Sequence, residues 1–202
     1  MKYTGPKVKL SRRLGIPLTP KAAKVMERHP YPPGQHGQDQ GRRASRMSNY
    51  KQQLLEKQRL KAQYNIHERQ MRNYFERAAS KKGNTIDNLI QVLETRLDAV
   101  VLRSGLAPTI YAARQLVSHG HIQVNGRRVN VSGFAIKPGD VVAVKEKSRN
   151  LPVIEEALDA AAPPQYLNVD PEQRTVQLGY LPRREEVPVI CDMIQVIEFY
   201  SR

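Results

Sequence analysis

The chain has 202 residues, enough for one large domain or two small ones with a genuine hydrophobic core. It carries 33 Lys plus Arg against 19 Asp plus Glu, a formal charge of +14, which favours a polyanionic partner: nucleic acid before an anionic membrane surface. No apolar run reaches the roughly 18 residues of a membrane-spanning helix, and a single cysteine, Cys191, excludes an internal disulfide and any multi-cysteine zinc site.

The opening MKYTGPKVKLSRR has no apolar core to act as a secretory signal, so a cytosolic protein is expected. Charge is concentrated at this end. Residues 1 to 82 hold 20 Lys plus Arg against 5 Asp plus Glu, whereas residues 83 to 202 hold 13 against 14. Residues 1 to 47 show little apolar periodicity, and YPPGQHGQDQGRR at 31 to 43 is rich in turn formers. This predicts an extended basic arm, with Lys7, Lys9, Arg12 and Arg13 among its phosphate-binding cations, that orders against a polyanion.

From Ser48 the spacing is helical. Tyr50, Leu54, Leu60 and Tyr64 define an apolar seam, with Lys51, Lys57, Arg59 and Lys61 around the remainder and available to phosphates. Asn65 is placed to cap a second helix with Glu68 in a capping box; Tyr74, Phe75 and Ala78 form its apolar side, Arg69 and Arg72 are its exposed cations, and Gly83 ends it. A third helix is predicted to run unbroken from Thr85 to Gly105 on the stripe Ile86, Leu89, Ile90, Leu93, Leu97, Val100 and Val101.

Thr109 caps a short helix whose apolar face is Ile110, Ala113 and Val117, leaving Tyr111, Arg114 and Ser118 in one exposed row for RNA. Asn125-Gly126 between alternating residues marks a tight hairpin over 121 to 131, and KPGD at 137 to 140 turns into a third strand, VVAVK. The helix and hairpin would present Arg114, His119, His121, Asn125, Arg127 and Arg128 on adjoining surfaces. Further on, EEALDAA at 155 to 161 reads as a short helix, and YLNVD and TVQLGY as a second hairpin extending the sheet.

Residues 149 to 202 hold 5 Lys plus Arg against 9 Asp plus Glu, a surface suited to a basic protein rather than to phosphate. Arg183, Arg184, Glu185 and Glu186 are either a solvated charge run or a protein interface. The apolar VPVICDMIQVIEFY is expected to return to the N-terminal helices. The fold class is therefore α+β: a basic arm (1–47), a helical domain (48–97 completed by 182–202), and an inserted helix-plus-antiparallel-sheet module (98–181).

The run LDAVVLRSGLAPTIYAARQLVSHGHIQVNGRRV to KPGDVV resembles the RNA-binding module shared by protein four of the bacterial small ribosomal subunit, some pseudouridine synthases, some tRNA synthetases and a small heat-shock RNA binder. YPPGQHG at 31 to 37, YKQQLLEKQRLKAQYNIHERQMRNYF at 50 to 75 and the terminal IEFYSR resemble that ribosomal family in particular. The resemblance implies binding to the 5′ domain of 16S rRNA at a multi-helix junction early in subunit assembly. It also implies a place beside ribosomal protein five where mRNA enters, an effect on translational accuracy, and Arg42, Arg43 and Arg46 as contacts to mRNA or neighbouring rRNA. Some relatives hold zinc through four arm cysteines; this chain has none, and no cofactor is expected.

Two other readings stay open on sequence. An RNA-modifying or aminoacylating enzyme fragment would need a catalytic domain that the remaining residues do not supply: there is no phosphate-cradling GxxxxGK[ST] loop, and His119 and His121 have no nearby cysteine. A regulatory binder that represses its own message is compatible with the ribosomal one.

Overall fold

A computed structural model of the chain describes residues 3–37, 47–160 and 162–201. It divides into two compact units, residues 1–76 with 189–202 and residues 77–188.

In the first unit, α1 (Lys7–Leu14) and α2 (Pro20–Arg28) occupy sequence expected to be extended. Thr19 caps α2 by accepting from the Ala22 amide, and Leu14, Ile16 and Ala22 are buried. That expectation is corrected for residues 7–28: a few apolar side chains suffice because α1 packs on α2 and on α3 (Asn49–Gln63). Arg12 donates to the Tyr31 carbonyl at 3.1 Å and lies 5.0 Å from that ring's centre, so local contacts fix the YPPGQHG turn.

Helix α3 turns a different face inward from the one its apolar residues suggest. Gln53, Glu56, Lys57, Leu60 and Tyr64 are buried, whereas Tyr50 is 54% exposed. The reason lies in α9 (Met193–Tyr200), which packs along α3 and supplies polar partners: Gln53 donates to Glu198 at 2.7 Å, and Glu56 accepts the Asp192 amide at 2.9 Å. The return of the C-terminal segment thus occurs as expected. Cys191 is partly buried there, and burial followed by the charges of Glu56 and Asp192 pushes its thiol up to about 12, keeping it neutral.

Asn65 does not open the second helix. It ends α3 in the left-handed region (φ 48°), with its own amide bonded to the Ala62 carbonyl and the Ile66 amide to that of Lys61, a Schellman stop; α4 begins at Glu68 and runs to Ala79.

The second unit contains α5 (Thr85–Glu94), α6 (Leu97–Arg103), α7 (Ile110–Ser118), α8 (Pro152–Asp159) and one five-stranded antiparallel sheet. Its strands are β1 (Ile122–Val124), β2 (Arg127–Arg128), β3 (Val141–Val144), β4 (Leu167–Asp170) and β5 (Thr175–Leu178), in the order β2-β1-β3-β5-β4. The β4–β5 hairpin therefore extends the sheet through β3, as its alternation predicts.

The long third helix is broken in two. Arg96 adopts an extended backbone and bridges Ala135, while the Leu97 and Asp98 amides donate to the Phe134 and Ser132 carbonyls, 2.8 and 3.1 Å away. Apolar spacing continues through the break because α5 and α6 contribute to the same core. Helix α5 is also fastened within this unit: Tyr166 donates to the buried Glu94 at 2.8 Å, and Arg103 grips the same carboxylate. Residues 77–97 accordingly fold with the sheet-bearing unit, a correction to the boundary drawn after residue 97.

Candidate nucleic-acid interface

A nucleic-acid surface needs cations that the protein itself has not neutralised, because phosphate affinity comes from displacing counterions. The expected basic residues separate on this criterion.

In the first unit, Lys9, Arg13, Lys51, Arg69 and Arg72 are exposed. Lys7 is half-buried, its ammonium donating to the Tyr3 carbonyl at 2.6 Å, and burial lowers its pKa. Lys57 is withdrawn altogether: it is buried, pairs with Glu68 at 3.0 Å and lies 4.3 Å from the centre of the Phe199 ring. Lys61 pairs with the other Glu68 oxygen at 3.1 Å, and Arg59 spans the Leu14 carbonyl and Glu56. These three cations brace the helices, which corrects their placement on a free polar face. Exposed Lys21, Lys24 and Arg28 on α2 escaped the sequence reading, although their charge in a basic segment was the available signal. Arg42, Arg43 and Arg46 lie outside the described residues.

Glu68 is the counterpoise of this cluster. Burial raises its pKa, but hydrogen bonds from Tyr200, Lys57 and Lys61 outweigh burial and hold the carboxyl below its ordinary 4.5. A carboxyl depressed in the folded state contributes stability above its unfolded value, and that contribution disappears as pH falls through the folded one. We expect Glu68→Gln to be less stable than the parent above pH 4.5, the two converging in more acidic buffer. Chemical denaturation across that range would check this; a constant difference would contradict it.

In the second unit, the hairpin has the geometry its sequence demands. Asn125 and Gly126 both have positive φ, 49° and 77°, forming the type I′ turn between β1 and β2. The Asn125 side chain supports the turn: it donates to Asp140 at 2.9 Å and accepts from the Val141 amide at 2.9 Å, tying the tip to the KPGD turn. The resulting short ribbon presents Arg127 and Arg128 to solvent.

The row Tyr111, Arg114 and Ser118 is not uniformly exposed. Ser118 is exposed, donating to the Gln115 carbonyl at 3.1 Å, and Tyr111 is half-buried. Arg114 retains only 11% side-chain exposure and pairs at 2.9 Å with Asp98, whose side chain is fully buried and also bound by Arg96. Its placement among free surface cations is corrected: the carboxylate on α6 draws it back onto the helix pair. Sequence spacing could not reveal this, because the partner is 16 residues away on another helix.

His119 is exposed; His121 is half-buried and bonded through Nδ1 to Ser148 Oγ at 2.8 Å. Among the described residues, no three His, Cys, Asp or Glu side chains gather as a metal ion would require, and no helix is long and apolar enough to cross a membrane. At the C-terminal charge run, a short 3-10 turn (Arg184–Glu186) is closed by Glu186, which accepts from the Arg183 amide and from Tyr180. Arg183, Arg184 and Glu185 remain exposed.

Comparison with known proteins gives this geometry its class. Residues 2–94 match the Ribosomal protein S4/S9 N-terminal domain and residues 95–142 match the S4 domain, so helix α7 and the arginine ribbon belong to the RNA-binding part of a ribosomal protein. The relative from Streptomyces avermitilis, small ribosomal subunit protein uS4, is 53% identical over 98% of this chain and 97% of its own length. The protein of the same name from Geobacillus stearothermophilus is 49% identical, covering 100% of this chain and 99% of itself. The chain belongs to the uS4 family of small ribosomal subunit proteins. This is a family of structural, non-enzymatic proteins, which disposes of the enzyme-fragment reading.

Proposed function

We propose that the protein is a primary binder of 16S rRNA that recognises a multi-helix junction of the 5′ domain and nucleates assembly of the small subunit. The observation that carries this reading is the pair Arg127 and Arg128, exposed on the short β2 ribbon, while Arg96 and Arg114 are engaged by the buried Asp98 carboxylate. Phosphate contacts of this kind supply affinity, and the fixed shape of the platform supplies choice among folded RNAs. Hydroxyl-radical footprinting of purified protein on 16S rRNA tests it. Protections clustered at one junction of the 5′ domain are expected; diffuse protection along the transcript would overturn the assignment.

The same reading places the acidic C-terminal third, through Arg183, Arg184, Glu185 and Glu186, against ribosomal protein five. It assigns Arg42, Arg43 and Arg46 to the region where mRNA enters, with a consequent effect on decoding accuracy. Support comes from the resemblance of the chain to its family and from the charge balance of residues 149 to 202, 5 basic against 9 acidic. Repression of its own message would reuse the rRNA surface, and the cytoplasmic ribosome is the expected location.

A further inference from the structure

One cavity in the second unit is not explained by packing or by phosphate contacts. It has a volume of about 250 Å³ and lies beside α7, lined by Gln115, Leu116, His119, His121, Leu151 and Val153. This is below the roughly 300 Å³ at which sites for drug-sized ligands begin, and suits one planar ring system.

Its chemistry is mixed in the way a nucleobase requires. Leu116, Leu151 and Val153 offer apolar contact to ring faces, and Val153 remains 45% exposed at the surface. The two imidazole rings stand 6.1 Å apart at 46°, and the bond to Ser148 restrains that of His121. Gln115 brings an amide that both donates and accepts, as a base edge does.

A cation stands next to this cavity. The Arg128 guanidinium lies directly against Gly120, the residue joining the two histidines, where any Cβ would collide with it. That guanidinium could swing aside, so it is the φ of 75° at Gly120 that requires glycine there. Apolar walls, aromatic rings and an adjoining guanidinium match an unstacked nucleotide: base inside, phosphate outside.

We propose that this cavity receives a single base extruded from the bound RNA, with Arg128 holding the adjoining phosphate. The inference rests on the RNA-binding reading above and adds a specific seat for one unpaired nucleotide. Stacking accounts for the expected magnitude, about tenfold in affinity for one base.

The experiment measures affinity of the full chain for 16S rRNA across a salt series. Val153→Trp, at a position open to solvent, fills the seat without altering charge; it should weaken binding about tenfold with an unchanged salt slope. His119→Ala, at an exposed position, should lose a comparable amount, whereas His119→Phe should restore binding, because a ring and not a charge is needed. Parent-like affinity for both Val153→Trp and His119→Ala would overturn the seat while leaving rRNA binding intact. Equal loss in His119→Ala and His119→Phe would also overturn it. Failure of the parent protein to bind 16S rRNA would overturn the broader reading and the seat together. Should Val153→Trp have a lowered thermal transition, the two His119 variants decide.

Discussion

Asp98→Ala should cost about 3 to 5 kcal/mol, the largest stability loss we expect from any single side chain in the second unit. Asp98 is fully buried, as is Arg96, which grips it through Nε at 2.9 Å and through Nη2. Arg114 binds the same carboxylate from α7, so one acidic group is shared by two guanidinium ions. Removing it takes from both guanidinium ions the carboxylate they share and leaves the charge of the buried Arg96 without that compensation. A thermal transition lowered by roughly 10 °C or more is the corresponding observable. Arg114→Ala is the informative contrast. Asp98 keeps its two-pronged bond to Arg96, so the loss should be about 1 to 2 kcal/mol. Equal destabilisation by the two substitutions would show that the carboxylate is not the hub.

The contrast also changes how an RNA-binding defect in Arg114→Ala should be interpreted. Weakened binding would accompany a destabilised platform, because this arginine joins two helices before it can meet any ligand. Melting and binding therefore have to be measured on the same preparation.

Arg127→Ala with Arg128→Ala should leave the melting transition in place and reduce the salt dependence of rRNA binding. Both side chains are exposed on the two-residue strand β2, so their truncation opens no cavity and strands no buried carboxylate. If each arginine neutralises one phosphate, the slope of log affinity against log salt should become shallower by about 1.4 to 1.8. At 0.1 M salt that corresponds to roughly a fortyfold loss, shrinking toward nothing as salt approaches 1 M. Parallel salt plots for the parent and the double variant would remove the ribbon from the interface.

These predictions separate two kinds of basic residue that look alike in one dimension. Lys57 and Lys51 are six residues apart on α3, yet Lys57 is held against Glu68 and Phe199 while Lys51 is exposed. Arg114 and Arg127 are equally plausible RNA contacts by spacing; folding ties the first to Asp98 and leaves the second exposed. Tyr50 shows the same difficulty for apolar residues, since the partner that determines the inward face of α3 is the C-terminal helix, over a hundred residues away.

What the sequence determined by itself was local or cumulative. Thr109 caps α7 through the Ala112 amide, Asn125-Gly126 makes its turn, the alternating runs become strands, and the basic excess lies in residues 1 to 82. Each depends on backbone preferences within a turn or two, or on totals that folding does not alter. Only the tertiary structure decided where α5 ends, which unit it joins and which cations are already neutralised. Those outcomes require carboxylates, carbonyls and rings from distant segments to meet: Asp98 with Arg114, Lys57 with Glu68, and Glu94 with Tyr166 across 72 residues. Charge is written in the chain, but its availability to a phosphate depends on what folding brings beside it.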